Sequence, residues 1–177
     1  RGNRAADYIG TVRFVLAAVV AWIVFLPYVF SGGDGQSAPL KIEVLRWVQS
    51  GDLDLNWTLR VDTLTAVMLV VVTTVSSLVH VYSIGYMAHD PGRWRFFTYL
   101  NFFMFSMLLL VLADNFLLLF VGWALVGLSS YLLIGFWYRR RSAALAAKKG
   151  FIVNRFGYLG FSRRMMAIGS VFGRLSV

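Results

Sequence analysis

The chain has 177 residues, of which 59% are hydrophobic and 16% aromatic, so it has too few polar residues to cover a water-soluble globule. Its net charge of +9 does not indicate a nucleic-acid partner, because the basic residues lie at the ends of apolar segments rather than on one polar face. The absence of cysteine excludes disulfides, thiolate zinc sites and cysteine-bound iron–sulfur clusters. These properties predict an all-α integral membrane protein surrounded mainly by the lipid bilayer.

The chain begins with a basic segment followed by an apolar one. Arg1, Arg4 and Arg13 lie before or at the start of an uncharged run over residues 14–30, an arrangement that superficially resembles a secretory signal peptide. No small-residue cleavage site follows this run. We therefore interpret residues 14–30 as the first membrane span and expect the chain to be a fragment of a longer protein.

A polar segment, residues 31–62, separates the first span from the next. It opens with the turn residues SGGDGQSAP and continues with KIEVLRW and LDLNWTLRVD, the second of which alternates apolar and polar residues. This pattern predicts a small hairpin outside the membrane. Trp47 and Trp57 are expected either to anchor the hairpin at the lipid headgroups or to pack it on the helix ends, and the sequence favours neither.

Three further spans follow the hairpin. Residues 63–88, 96–113 and 116–137 are free of charged side chains and reach or nearly reach the length of about 18 to 20 residues that a bilayer-crossing helix needs. Any one of these segments is compatible with a buried core helix in a soluble protein. Four in succession predict a polytopic membrane domain.

A fifth span over residues 150–170 is doubtful. Arg155, Arg163 and Arg164 interrupt it, and insertion of an arginine at mid-membrane costs about 2.5 to 3.5 kcal/mol. The segment therefore needs protein-lined or wet surroundings, or it bends out along the membrane surface. The sequence leaves both alternatives open.

The distribution of basic residues predicts how the spans are oriented. Short cytoplasmic loops collect lysine and arginine, and the segment 138–149 follows this rule. It contains Arg139, Arg140, Arg141, Lys148 and Lys149. Residues 138–149 are therefore predicted to form a basic cytoplasmic loop, and residues 31–62, where acidic residues outnumber basic ones, an extracytoplasmic loop.

Polar residues inside the spans are the candidates for a proton path. Thr73, Ser77 and His80 recur at three- and four-residue spacing and so share one face of the second span. Histidine is suited to relaying protons, whereas hydroxyl groups in membrane helices more often hold neighbouring helices together. Lys148 and Lys149 are further candidates. No carboxylate lies inside a span, and no catalytic residue, metal ligand or cofactor-binding motif is recognised.

A resemblance to a known family rests on two motifs and the arginine run between them. These motifs are GWALVGLSSYLLIGFW and IVNRFGYLGF, in this order and spacing. The chain closely resembles the antiporter-like subunit L of bacterial NADH-quinone oxidoreductase and its mitochondrial counterpart, NADH dehydrogenase subunit 5. The resemblance covers about residues 1–161 and is densest from Val79 onward. It implies the amino-terminal part of a longer membrane-arm subunit of respiratory complex I.

The resemblance also implies a function. Subunits of this family translocate protons in step with quinone reduction elsewhere in the complex, so the chain is expected to be part of a proton-translocating enzyme without redox chemistry of its own. NADH, FMN, iron–sulfur clusters and quinone are implied in partner subunits. The implied partners are other membrane-arm subunits, and the implied location is a bacterial inner membrane, with the mitochondrial inner membrane as the alternative.

Two positions depart from the family pattern. The family has glutamate where this chain has Ala124, and aspartate where it has Tyr158. Alanine has no ionisable group, whereas a buried glutamate carries or releases a proton. Three functions therefore stay open: a proton-translocating subunit, a non-pumping scaffold, and a subunit of a related cation/proton antiporter or membrane-bound hydrogenase.

Overall fold

A computed structural model describes residues 2–30, 39–50 and 53–172. Within these ranges the chain forms five helices and one two-stranded hairpin. The elements are α1 (Gly2–Phe30), β1 (Leu40–Ser50), β2 (Leu53–Val61), α2 (Thr63–Tyr86), α3 (Arg93–Val111), α4 (Phe116–Ile134) and α5 (Arg141–Phe172). The prediction of a helical membrane protein with a small hairpin is confirmed.

Four helices in the described part of the chain are long and apolar enough to cross a membrane. They are residues Tyr8–Phe30 of α1 and the whole of α2, α3 and α4. Large apolar side chains point away from the bundle on these helices, as Leu64 and Leu78 do with 72% and 67% of their surface exposed. A helix that presents apolar residues outward is stable in lipid rather than in water.

The segment from Arg141 onward is helical, which corrects the expected loop over residues 138–149. Its start, RSAALAAKK, contains strong helix formers, so α5 begins at Arg141 and runs for 32 residues. Such a helix is about 48 Å long, more than the ~30 Å of a bilayer core. Arg163 and Arg164 are exposed on it.

The helices pack as neighbours in chain order. The closest pairs are α1 with α2, α3 with α4, and α4 with α5, with smaller contacts of α3 to α1 and α2. At the α3–α4 crossing Gly122 lies directly against the backbone of Leu110, and a Cβ atom there would be 2.8 Å from Leu110 Cα. Ser106 and Ser129 are fully buried between the same helices, with their hydroxyl oxygens 3.3 Å apart. Small residues therefore set this close approach.

The hairpin is fixed to the turn between α3 and α4. The backbone N–H of Arg60 donates to the carbonyl of Leu112 at 2.9 Å, and Lys41 Nζ lies 2.9 Å from Asp114 Oδ1. Asn115 Nδ2 donates to the Asn56 carbonyl at 2.8 Å. Since α2 and α4 run away from the hairpin and α3 returns to it, the connection 87–92 and the end of α4 lie at the opposite end of the bundle.

Trp47 and Trp57 contact each other across the hairpin. Their ring centroids are 5.3 Å apart, and Trp47 is 39% exposed. The pair therefore stabilises the two strands through a cross-strand contact, which the sequence did not indicate. The turn residues expected at 31–38 and the hairpin turn at 51–52 lie outside the described residues.

Asp62 caps the N-terminus of α2 and gives the helix a pH-dependent anchor. The backbone N–H of Thr65 donates to Asp62 Oδ1 at 2.7 Å, and this bond, with a smaller contribution from Arg60, holds the pKa of the carboxyl below its ordinary value of 3.8. A lowered pKa in the folded state adds stability above the unfolded pKa, and this stability is lost as the pH falls through the folded pKa.

We expect Asp62→Ala to lower the free energy of unfolding in detergent micelles by about 1 kcal/mol near pH 7, and by less near pH 3. Asp62→Asn keeps a hydrogen-bond acceptor at the cap and is expected to cost less at neutral pH. Unfolding titrated with SDS at both pH values measures these differences. A loss for Asp62→Ala that does not change with pH would show that the carboxylate is not the stabilising group.

Candidate functional site

The predicted polar face of α2 is buried, and its hydroxyl groups are bonded to backbone carbonyls. Thr73 Oγ1 donates to the carbonyl of Leu69 at 2.6 Å. Ser77 Oγ lies 2.7 Å from the carbonyl of Thr73 and 2.9 Å from that of Phe14 on α1. The hydroxyl protons of Thr73 and Ser77 are therefore already used in hydrogen bonds within α2 or at its contact with α1. The arrangement fits the role of holding the helices together.

His80 is fully buried where α1, α2 and α3 meet. Its Nδ1 is 2.8 Å from the carbonyl oxygen of Ser76, and its Nε2 is 3.3 Å from Asn101 Oδ1 on α3. The Phe14 ring lies 4.3 Å away, centroid to centroid. Both of these partner atoms are oxygens that accept hydrogen bonds, so a neutral ring donates to one of them and a protonated ring donates to both.

Asn101 is a polar contact that the sequence analysis missed. An amide within an apolar span is a recognisable signal, because such a group needs a partner in lipid. Its partner, His80, lies on a different helix, so the pairing required knowledge of the packing.

Lys148 and Lys149 do not join this group. Both are exposed on α5, which packs against α4, whereas His80 is enclosed by α1, α2 and α3. The predicted proton-path residues therefore form one buried cluster on α2 and a separate exposed pair on α5.

A cavity of about 580 Å³ lies between α4 and α5. Ala124 and Tyr158, the two positions where the family resemblance implies carboxylates, both line it. Arg155 and Ser162 supply the other polar side chains of the wall. The remaining wall is apolar and consists of Phe120, Leu125, Leu128, Phe151 and Leu159. The two altered positions thus share one site, here called the α4–α5 cavity.

Tyr158 fills the space beside Gly127. Its hydroxyl lies where a side chain on Gly127 would begin, so any larger residue there would require the tyrosine side chain to move. Within the described part of the chain this hydroxyl is buried without a hydrogen-bond partner. An unpartnered buried hydroxyl costs free energy, and water in the cavity is the partner that would remove this cost.

Arg155 brings positive charge to the same wall. Its guanidinium carbon is 4.7 Å from the centroid of the Phe151 ring, a distance at which a cation is attracted to the ring face. No carboxylate is among the residues that line the cavity, so Arg155 has no acidic counterpart in its wall. In the sequence alone, Arg155 is apparent only as an interruption of the fifth span.

Across residues 2–30, 39–50 and 53–172, no three or more histidine, aspartate or glutamate side chains cluster so as to hold a metal ion.

Two family profiles match the chain. Residues 47–97 match the N-terminus of chain 5 of NADH-ubiquinone oxidoreductase (complex I), and residues 113–177 match the transmembrane region of NADH:quinone oxidoreductase and Mrp antiporter subunits. NADH-quinone oxidoreductase subunit L of Mycobacterium tuberculosis (strain CDC 1551 / Oshkosh) is 47% identical over 177 residues, or 99% of the chain. The chain belongs to this family of antiporter-like membrane subunits. The resemblance seen in the sequence is thereby confirmed.

A further protein is similar to the chain in sequence, and one solved structure is similar to it in fold. NADH-ubiquinone oxidoreductase chain 5 of Rhizopus stolonifer is 42% identical over 98% of the chain. The Mrp complex from Dietzia sp. DQ12-45-1b contains a chain with the same fold, with a TM-score of 0.75 and 22% identity over 97% of this chain and 18% of that one. The chain spans 28% of the length of the Mycobacterium protein and 26% of the Rhizopus protein.

Proposed function

We propose that this chain acts in the membrane arm of a proton-pumping NADH-quinone oxidoreductase. In this role the helices move protons while quinone is reduced in other subunits. Those subunits hold the NADH, FMN, iron–sulfur and quinone sites. The subunit names of the Mycobacterium and Rhizopus relatives support this role. The bacterial relatives named subunit L favour a bacterial plasma membrane, with the end of the bundle that carries Arg139, Arg140 and Arg141 in the cytoplasm.

One observation carries the proposal: the two positions at which the family has carboxylates line a single cavity. Ala124 on α4 faces the same space as Tyr158 on α5, and Arg155 lies on the same wall. A cavity of about 580 Å³ has room for several waters, each of which occupies about 30 Å³ in the liquid. Water together with the Tyr158 hydroxyl would then carry protons through the cavity in place of the two carboxylates.

A non-pumping scaffold is the second candidate function, and the lack of a carboxylate in the same cavity favours it. Its wall contains a cation and no carboxylate, so the site lacks an acid to load and release protons near neutral pH. The hydroxyl groups of Thr73 and Ser77 are already bonded to backbone carbonyls. In this role the helices would contribute only to the assembly of the complex.

Arg155→Gln is the experiment that separates the two roles. If the cavity conducts protons, removing its charge changes the local field, and we expect the number of protons taken up per NADH oxidised to fall at least about twofold in membrane vesicles. Arg164→Gln is the matched control, because Arg164 is exposed on the same helix and does not line the cavity.

The scaffold role predicts a different result. Both variants would then assemble and keep the proton-to-NADH ratio of the unaltered complex. The amount of assembled complex on native gels shows whether either variant acts through assembly. An unchanged ratio in fully assembled Arg155→Gln complex would contradict the pumping proposal.

A further inference from the structure

A second cavity lies at the end of the bundle opposite the hairpin. It has a volume of about 510 Å³, within the range of ligand-binding sites, and forms where the connection between α2 and α3 meets the end of α4. Trp137 Nε1 donates to Asp90 Oδ2 at 3.2 Å and so ties the two segments together. We refer to this space as the basic-end cavity.

We propose that the basic-end cavity binds the phosphate of an anionic phospholipid. Arg95, Arg139 and Arg140 line it, whereas Asp90 is its only acidic lining residue, which leaves an excess of two positive charges. Paired arginine N–H groups match the oxygen atoms of a phosphate. Basic pockets between membrane helices are a recognised arrangement for lipid headgroups.

Aromatic rings hold two of these arginines in place without using their hydrogen-bond donors. The guanidinium carbon of Arg95 is 5.5 Å from the centroid of Tyr138, and that of Arg140 is 5.6 Å from the centroid of Trp137. A guanidinium over a ring keeps its in-plane N–H groups available. Among the described residues, the guanidinium groups of Arg95, Arg139 and Arg140 form no ion pair or side-chain hydrogen bond. Their donors are therefore free to bind an anion.

Asp90 is not paired with these arginines, because its two oxygens accept hydrogen bonds from other groups. Asp90 Oδ1 accepts from the backbone N–H of Gly92 at 2.6 Å, and Oδ2 accepts from the indole of Trp137. The carboxylate thus shapes the connection between α2 and α3 and the wall of the cavity. The arginines are therefore the groups of the cavity that would bind an incoming anion.

The position of the cavity favours a lipid over free phosphate. The apolar helix α4 ends at Ile134, three residues before Trp137, and Ile134 is 49% exposed toward the surroundings. Trp94 and Trp137 are about half exposed, as aromatic residues at a membrane–water boundary commonly are. A headgroup in the cavity would therefore leave its acyl chains beside the outer face of α4.

The test is quenching of tryptophan fluorescence by brominated lipid. The protein is reconstituted in phosphatidylcholine bilayers that contain brominated phosphatidylglycerol, or brominated phosphatidylcholine in its place. Because Trp94 and Trp137 line the cavity, we expect stronger quenching by the anionic lipid. Arg95→Gln, Arg139→Gln and Arg140→Gln together are expected to reduce the preference for the anionic lipid by about tenfold or more.

The matched control removes three positive charges from residues outside the cavity. Arg13→Gln, Arg163→Gln and Arg164→Gln change exposed residues outside the cavity and should keep the preference. If Arg95 is needed for folding, Arg139→Gln with Arg140→Gln leaves its ring contacts intact and is expected to lose about fivefold or more. Equal preference in the unaltered and cavity variants would overturn the proposal, and so would an equal loss in the control.

Free inorganic phosphate presents the same group to the arginines as a phospholipid headgroup does. Excess inorganic phosphate is added to the bilayers and compared with chloride at equal ionic strength. For a lipid site we expect the same quenching in both salts. If phosphate alone abolishes the preference for the anionic lipid, the cavity binds free phosphate and the lipid proposal is wrong.

Discussion

Gly122→Leu is expected to lower the free energy of unfolding by about 3 kcal/mol or more, because it forces a side chain into a backbone contact between α3 and α4. A Cβ atom at this position would lie 2.8 Å from the Cα and 2.9 Å from the backbone N of Leu110. Backbone cannot rotate away as a long side chain can, so the two helices must separate. Unfolding by SDS in detergent micelles measures the loss.

Gly157→Leu is the matched control for this experiment. It makes the same substitution in a helix, at a glycine on α5 whose Cβ would meet nothing within 4 Å. Leucine is a better helix former than glycine by somewhat under 1 kcal/mol, so the control is expected to be neutral or slightly stabilising. Equal losses at both positions would show that the close contact at Gly122 does not limit the packing of α3 and α4.

Asn115→Ala is expected to cost about 2 to 3 kcal/mol, because one side chain both caps α4 and holds the hairpin. Its Oδ1 accepts from the backbone N–H of Leu118 at 2.7 Å, and its Nδ2 donates to the carbonyl of Asn56 at 2.8 Å. Asn115 is only 5% exposed, so alanine would leave both backbone groups without this partner. The same SDS unfolding experiment measures the change.

Asn115→Asp separates the two roles of this residue. Aspartate accepts from the Leu118 N–H as a cap but sets an acceptor oxygen against the Asn56 carbonyl, so it should keep the cap while releasing the hairpin. Proteolysis of the hairpin provides a second measurement, and both variants are expected to be cut faster than the unaltered protein. Unchanged proteolysis in both would contradict a hairpin held by Asn115.

The number of membrane helices could be predicted from the sequence because uncharged stretches are directly visible in it. The ends of the helices could not be predicted in the same way. α1 continues before residue 14 and contains Arg13, and α5 begins at Arg141 within a basic segment. Backbone hydrogen bonds extend a helix into the membrane boundary, where charged side chains remain solvated, so a charge marks the edge of the apolar stretch rather than the end of the helix.

The candidate site was predicted only in part, because its contacts join residues from different helices. The spacing of Thr73, Ser77 and His80 placed them on one face, and the structure buries that face. The partner of His80, Asn101, depends on how α2 packs against α3, which spacing within one helix does not determine. The family resemblance singled out Ala124 and Tyr158, and only the packing of α4 on α5 brings them to one cavity.

We propose that carboxylates at positions 124 and 158 of the α4–α5 cavity would promote proton transfer in this chain. The most direct measurement is the number of protons taken up per NADH oxidised by assembled complex carrying Ala124→Glu together with Tyr158→Asp. Ala124→Gln with Tyr158→Asn is the matched control, since it has nearly the same size and hydrogen-bonding capacity without ionisable groups. We predict a higher proton-to-NADH ratio for the carboxylate pair than for the control and the unaltered protein. Equal ratios in all three assembled complexes would contradict the claim.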